Sequence, residues 1–172
     1  MISEIAMTDA IRIDLVQLGD LVTRPAFVIA GVQAAFDDTN KSGIPALWPR
    51  LIASLALPGQ VDARSYGAMW SENPGQGSAH YMAGVEVAGE AALPAGFQRL
   101  AIAAQSYVVF RQTLDGSALH PQMQAAAKEI WGVRLPKSGF KLVRSPDFEL
   151  YAEDFAPTRK GAFVDVYVPV AR

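Results

Sequence analysis

Asp147, Glu149 and Tyr151, spaced two apart, are where the side-chain types of this 172-residue chain most clearly suggest chemistry. Pro146 ends whatever precedes them. From there polar and apolar residues alternate with the two-residue period of a β-strand, so Asp147, Glu149 and Tyr151 share one face and Phe148, Leu150 and Ala152 the other. After a turn around Pro157–Gly161 a second alternating run, Ala162–Val170, puts Val164, Val166 and Val168 on one face and Phe163, Asp165 and Tyr167 on the other. Paired as a hairpin, the two runs predict one aliphatic face for a core and one face carrying acids beside aromatic rings. An acid among aromatics suits an organic cation, through charge attraction and ring quadrupoles together. A carboxylate partly buried there loses hydration, which raises its pKa and readies it for a cation or for general-base work. The alternative is an ordinary amphipathic hairpin with Glu149 in water.

Composition narrows the chemistry. About half of the residues (51%) are hydrophobic, enough for one domain with a sizeable core. Net charge is −2 with no run of Lys or Arg, so no nucleic-acid surface is expected. The lack of cysteine removes disulfides, a thiol nucleophile and Cys-type zinc sites. His80 and His120 stand far apart without metal-ligand spacing, so neither a metal nor a cofactor is expected, and His80 reads as a surface or hydrogen-bonded histidine. Ser106 and Ser138 lack a nucleophile-elbow context. No segment is long and apolar enough for a membrane span, and the acids in Met1–Ala10 argue against a signal peptide, so a cytoplasmic location is expected.

The elements that must position the acids follow from period. Met1–Ala10 reads as a flexible tail and 11–172 as one domain. Ile11–Val16 and Ala26–Phe36 read as strands. Ile44–Leu55 reads as a helix whose stripe is Ile44, Leu47, Trp48, Leu51, Ile52 and Leu55. Arg64–Trp70 and His80–Ala88 follow as strands, with Tyr81 on the apolar face of the latter. The order then repeats: a long strand Phe97–Phe110 bent near Gln105, a helical stripe from Leu119 to Trp131, and the hairpin. Trp48 and Trp131 read as core. The prediction is an α+β fold of two strand–helix–strand–strand units, about 11–88 and 97–170, joined edge to edge in one antiparallel sheet. Both helices would lie on one face, and the opposite face would hold a groove lined by Tyr66, Trp70, His80, Met82, Tyr107, Glu149, Tyr151, Asp165 and Tyr167.

The order of Ile44-Pro45-Ala46-Leu47-Trp48, Tyr66-Gly67, Tyr81-Met82-Ala83-Gly84, Ala104–Phe110, Leu135–Phe140, Asp147–Tyr151 and Val168-Pro169-Val170 resembles the GyrI-like, AraC-type effector-binding domain family across nearly the whole chain. The resemblance implies the same duplicated fold and a groove for aromatic or cationic small molecules. It implies that Glu149 is the buried ligand-contacting glutamate and that Tyr107 matches a groove tyrosine. Many members are sensing halves of transcription regulators; here the few residues before the first strand leave no room for a DNA-binding domain, so direct DNA contact is not expected. Three functions follow. A stand-alone binding protein would use Glu149 as anchor and Tyr66, Trp70, Tyr107, Tyr151 and Tyr167 as walls, with Asp165 nearby. A hydrolase of strained cyclopropane electrophiles would use Glu149 on water and a tyrosine, Tyr107 foremost, on the substrate carbonyl. A protein-interaction role, with gyrase or a regulator as partner, would use the outer surface.

Overall fold

The computed structural model describes residues 13–15, 21–37, 39–72 and 77–171, so the expected tail Met1–Ala10 lies outside the described residues. The strands are β1 (Ile13–Leu15), β2 (Val22–Arg24), β3 (Phe27–Asp37), β4 (Ser65–Trp70), β5 (Ser78–Val87), β6 (Gln98–Ile102), β7 (Gln105–Thr113), β8 (Lys141–Leu142), β9 (Asp147–Tyr151) and β10 (Phe163–Ala171). A 3₁₀ turn, Lys41–Ala46, leads into α1 (Leu47–Ile52). Helix α2 (Leu119–Glu129) continues through a π-helical turn, Ile130–Arg134, into α3 (Leu135–Ser138). No described helix is long and apolar enough to cross a membrane.

The duplicated unit is present. The antiparallel sheet runs β1-β7-β10-β9-β4-β5-β3-β6, with β2 added on β7 and β8 on β10. Units β3–α1–β4–β5 and β7–α2–β9–β10 therefore meet through β4 and β9, which pair from Ser65↔Tyr151 to Met69↔Asp147. The expected long strand Phe97–Phe110 is instead two. Its first half pairs with β3 at one end of the sheet and its second with β10 at the other, and the chain turns at Ala103–Ala104 between them.

Both helical segments cover one face, here called the outer face. Leu47 and Leu51 of α1 pack on Val32, Phe36, Tyr81 and Ala83. Ala126, Ile130 and Leu135 pack on Val108, Phe110, Val166 and Val168. The stripe expected over Ile44–Leu55 is narrower than its period suggested: the α-helix ends at Ile52, Leu47 and Leu51 are its buried residues, and Ile52 is 64% and Leu55 41% exposed.

The other face curls on itself. Rings from strands far apart in sheet order meet inside: Phe27 of β3 lies 5.6 Å from Phe148 of β9, and Phe148 5.4 Å from Tyr107 of β7. Tight backbone approach between β3 and β5 accompanies this curl. Gly31 faces Gly84, and a Cβ on Gly31 would run into the Ala83 carbonyl. The inside is a closed aromatic core and contains no helix residue among its members.

Candidate ligand-binding site

Register decides which side chains meet. β9 and β10 pair as Val164↔Tyr151, Val166↔Glu149 and Tyr167↔Phe148. Directly opposed residues share a face, so Glu149 and Tyr151 lie with the valines on the helix-covered outer face. Asp165 and Tyr167 lie inside with Phe148 and Leu150. The expected common face for all four residues is thus not formed: each strand alternates as expected, but their polar faces are turned to opposite sides of the sheet.

Around Glu149 the outer face is built from three strands and one helix. The Tyr151 hydroxyl donates to Glu149 Oε2 at 2.5 Å, and the Tyr81 hydroxyl donates to the same oxygen at 3.4 Å. Tyr81 reaches it from β5 by passing over Gly67 of β4, the register partner of Glu149. A Cβ at position 67 would strike the Tyr81 hydroxyl and stand 2.8 Å from Glu149 Oε2, so the absence of a side chain there makes the contact possible. Trp48 of α1 closes over the group, its ring edge-on to Tyr151 with centroids 5.1 Å apart. Phe155 flanks the other side of Tyr151 at 4.8 Å.

The electrostatics follow from that enclosure. Burial raises the Glu149 pKa above the ordinary glutamate value, against the two phenol donors, which lower it. Burial first, and the Glu149 charge second, push Tyr81 and Tyr151 well above the usual tyrosine pKa, so both remain O–H donors. No Lys, Arg or His among the described residues pairs with Glu149. With both hydroxyls on Oε2, Oε1 is left for another donor or cation.

Two residues further along the same face, Asp147 is part-buried and lines a cavity of about 480 Å³ with Trp70, Trp131, Pro146, Arg144 and Val168. Burial, aided by the charge of Glu149 and opposed by its own backbone N–H, pushes the Asp147 pKa up to about 7. Arg144 at the rim donates from Nη2 to the Glu72 carbonyl at 2.6 Å. The π-helical turn keeps Ile130 buried and presents Trp131, 39% exposed, to this cavity.

The remaining expected groove residues are elsewhere. Tyr66 and Tyr107 are fully buried inside the curl, Tyr107 accepting from Gln105 Nε2 at 2.9 Å. Tyr107 and Glu149 are separated by the sheet, so the expected pairing of those two on one substrate is not formed. Asp165 holds Arg111 through Nε at 2.8 Å and Nη2 at 3.0 Å. Tyr167 stacks on Phe148 at 4.7 Å. Trp70 stacks on His80 at 5.2 Å and reaches the Asp147 cavity from the end of β4.

The face opposite the helices, where the groove was expected, already holds a cation. The Arg24 guanidinium of β2 lies 4.1 Å over the Phe27 ring and 5.5–5.8 Å from Tyr66, Phe148 and Tyr167. It donates to the Tyr66 hydroxyl at 3.2 Å and stands 3.9 Å from Glu86. The residues expected to line one groove are thus divided between the two faces of the sheet. Sequence reasoning left Trp48, Gly67, Tyr81 and Trp131 out of the site. One signal was available: in β5, Tyr81 is the polar-tipped member of an otherwise small and aliphatic face, Ala83, Val85 and Val87. Among the described residues no group of His, Asp and Glu could hold a metal ion.

Comparison with known proteins agrees with this architecture. A family model described as the GyrI-like small molecule binding domain matches residues 20–171. The transcriptional regulator BrlR of Pseudomonas aeruginosa is 33% identical over 153 residues, which is 87% of this chain and 54% of the regulator. The chain thus spans about half the length of that relative. Among solved structures, SAV2435 bound to tetraphenylphosphonium has the same fold, with a TM-score of 0.71 at 20% identity over 88% of this chain and 93% of that one. An integron cassette protein from the mobile metagenome of Vibrio cholerae aligns with a TM-score of 0.63 at 18% identity, over 88% of this chain and 95% of its own.

Proposed function

The chain belongs to the GyrI-like small molecule binding domain family, and on that footing we propose that it binds an organic cation with an aromatic body on the helix-covered face, anchored by Glu149. The observation that carries this is a part-buried carboxylate held by two neutral phenols and, among the described residues, by no cation. A buried charge without a counter-ion is costly, and a bound cation supplies the missing partner while its apolar body covers the part-exposed Trp48 ring. Tyr81 and Tyr151 orient the carboxylate, leaving Oε1 toward the ligand. The bound tetraphenylphosphonium of SAV2435, an aromatic cation, supports the choice of ligand class.

The test is calorimetric titration of tetraphenylphosphonium into the wild type and Glu149→Gln, with mass spectrometry of the recovered compound. Saturable binding that weakens in the variant, with the compound recovered unchanged, supports a binding role. Equal affinity in both proteins removes Glu149 as the anchor. By kinship with BrlR, we place such a binding event in ligand sensing for transcription. A reporter assay of the intact protein, alone and with any regulator it accompanies, tests that role.

A further inference from the structure

Glu149 is one of two acids on this face. Asp147 and Glu149 are two apart on β9, so their Cα atoms are about 6.7 Å apart along the strand. Phe148 between them points inside, so the strip joining the acids is floored by Gly67 and Met69 of β4 and the valines of β10, with the Tyr81 side chain crossing over Gly67 to Glu149. Each acid has its own aromatic wall: Trp48 over Glu149, and Trp131 with Trp70 beside Asp147. At Asp147 the wall encloses an open cavity of about 480 Å³. The Asp147 carboxyl has no side-chain hydrogen bond or ion pair among the described residues, and the nearby Arg144 is drawn off to the Glu72 carbonyl.

We infer that this face takes an elongated dication, with one positive centre at Glu149 and a second, about 7 Å away, at Asp147 in the Trp131 cavity. This rests on the reading of Glu149 as a cation anchor and adds a ligand class to it: two cationic ends joined by a flat or apolar spacer. A compact monocation would use the Glu149 end alone. The second charge then selects ligands by length, because a spacer too short or too long leaves one centre without a carboxylate.

The experiment compares benzyltrimethylammonium with 1,4-bis(trimethylammoniomethyl)benzene, whose centres are about 7 Å apart, by calorimetry on the whole chain at constant ionic strength. The dication should bind the wild type at least about tenfold more tightly. Asp147→Asn should remove that advantage and leave the monocation within about twofold, whereas Glu149→Gln should weaken both. Trp131→Ala, which keeps both acids and removes only the wall beside Asp147, should also reduce the dication preference. Equal affinities of the two probes for the wild type, or an Asp147→Asn effect that is the same for both, would overturn the inference while leaving a single-anchor site standing. Failure of both probes and of tetraphenylphosphonium to bind would overturn the anchor reading itself. Circular dichroism and melting of each variant confirm folding.

Discussion

Glu149→Gln should move stability and affinity in opposite directions, and that opposition distinguishes a binding carboxylate from a structural one. The raised pKa of Glu149 means that the folded surroundings favour its neutral form, so ionisation at neutral pH destabilises the fold. Gln keeps the shape and can still accept from Tyr151 and Tyr81, but removes the charge. Desolvation of a lone carboxylate costs several kcal/mol. Two phenol bonds to a charged acceptor return roughly 1.5–3 kcal/mol each, and to a neutral one about 1 kcal/mol each. The difference leaves the variant more stable by about 1 kcal/mol, or a melting temperature higher by roughly 2–4 °C for a chain of this size. For the ligand the sign reverses. A cation about 5 Å from the carboxylate gains roughly 3 kcal/mol at an effective dielectric of 20, partly offset by its own dehydration. A loss of about tenfold to a hundredfold in affinity is therefore expected. Melting at pH 7.5 read alongside calorimetry with tetraphenylphosphonium makes the measurement. A melting temperature lower by several degrees with affinity unchanged would refute the reasoning, because Glu149 would then be a hub holding Tyr81 and Tyr151 in place.

Three further outcomes follow from the same geometry. Gly67→Ala puts a methyl group against the Tyr81 hydroxyl and Glu149, and should cost about 1–3 kcal/mol in urea unfolding and weaken cation binding, although position 67 contributes no side chain to the ligand. Arg24→Ala empties the aromatic cage inside the curl and should destabilise by about 2–4 kcal/mol while leaving affinity at the outer face unchanged, a separation read by pairing urea unfolding with calorimetry. Asp147 has a folded pKa of about 7 against an ordinary 3.8, so the native state binds the extra proton between those values. Its contribution therefore destabilises as pH rises through that window and is relieved below about pH 4; relative to Asp147→Asn, the wild type should lose on the order of 2 kcal/mol between pH 5 and 8 in parallel urea titrations.

Much of this was readable in the chain. Alternation and the three-and-four stripe are local properties, set by which face successive residues occupy, so the two strand–helix–strand–strand units and the strands carrying Glu149 and Tyr167 could be read from period alone. The pairing of acid with aromatic ring around Glu149 is likewise local, since Tyr151 is its neighbour on the same face. What no local pattern contains is the parity between strands. The segment 152–162 between β9 and β10 sets a register in which Glu149 opposes Val166 and not Tyr167, and a shift of one residue would have reversed it. Tertiary packing also decided which face would be closed. Curling of the sheet turned Tyr66, Tyr107 and Tyr167 into an interior filled by Arg24, and left the helix side for the carboxylates. Trp48 and Trp131 follow the same logic: a helical stripe predicts burial against the sheet, but only the placement of α1 and the π-helical turn sets one over Glu149 and the other beside Asp147. Sequence determined which groups are available and on which strands; the fold, through register and curvature, determined which of them meet.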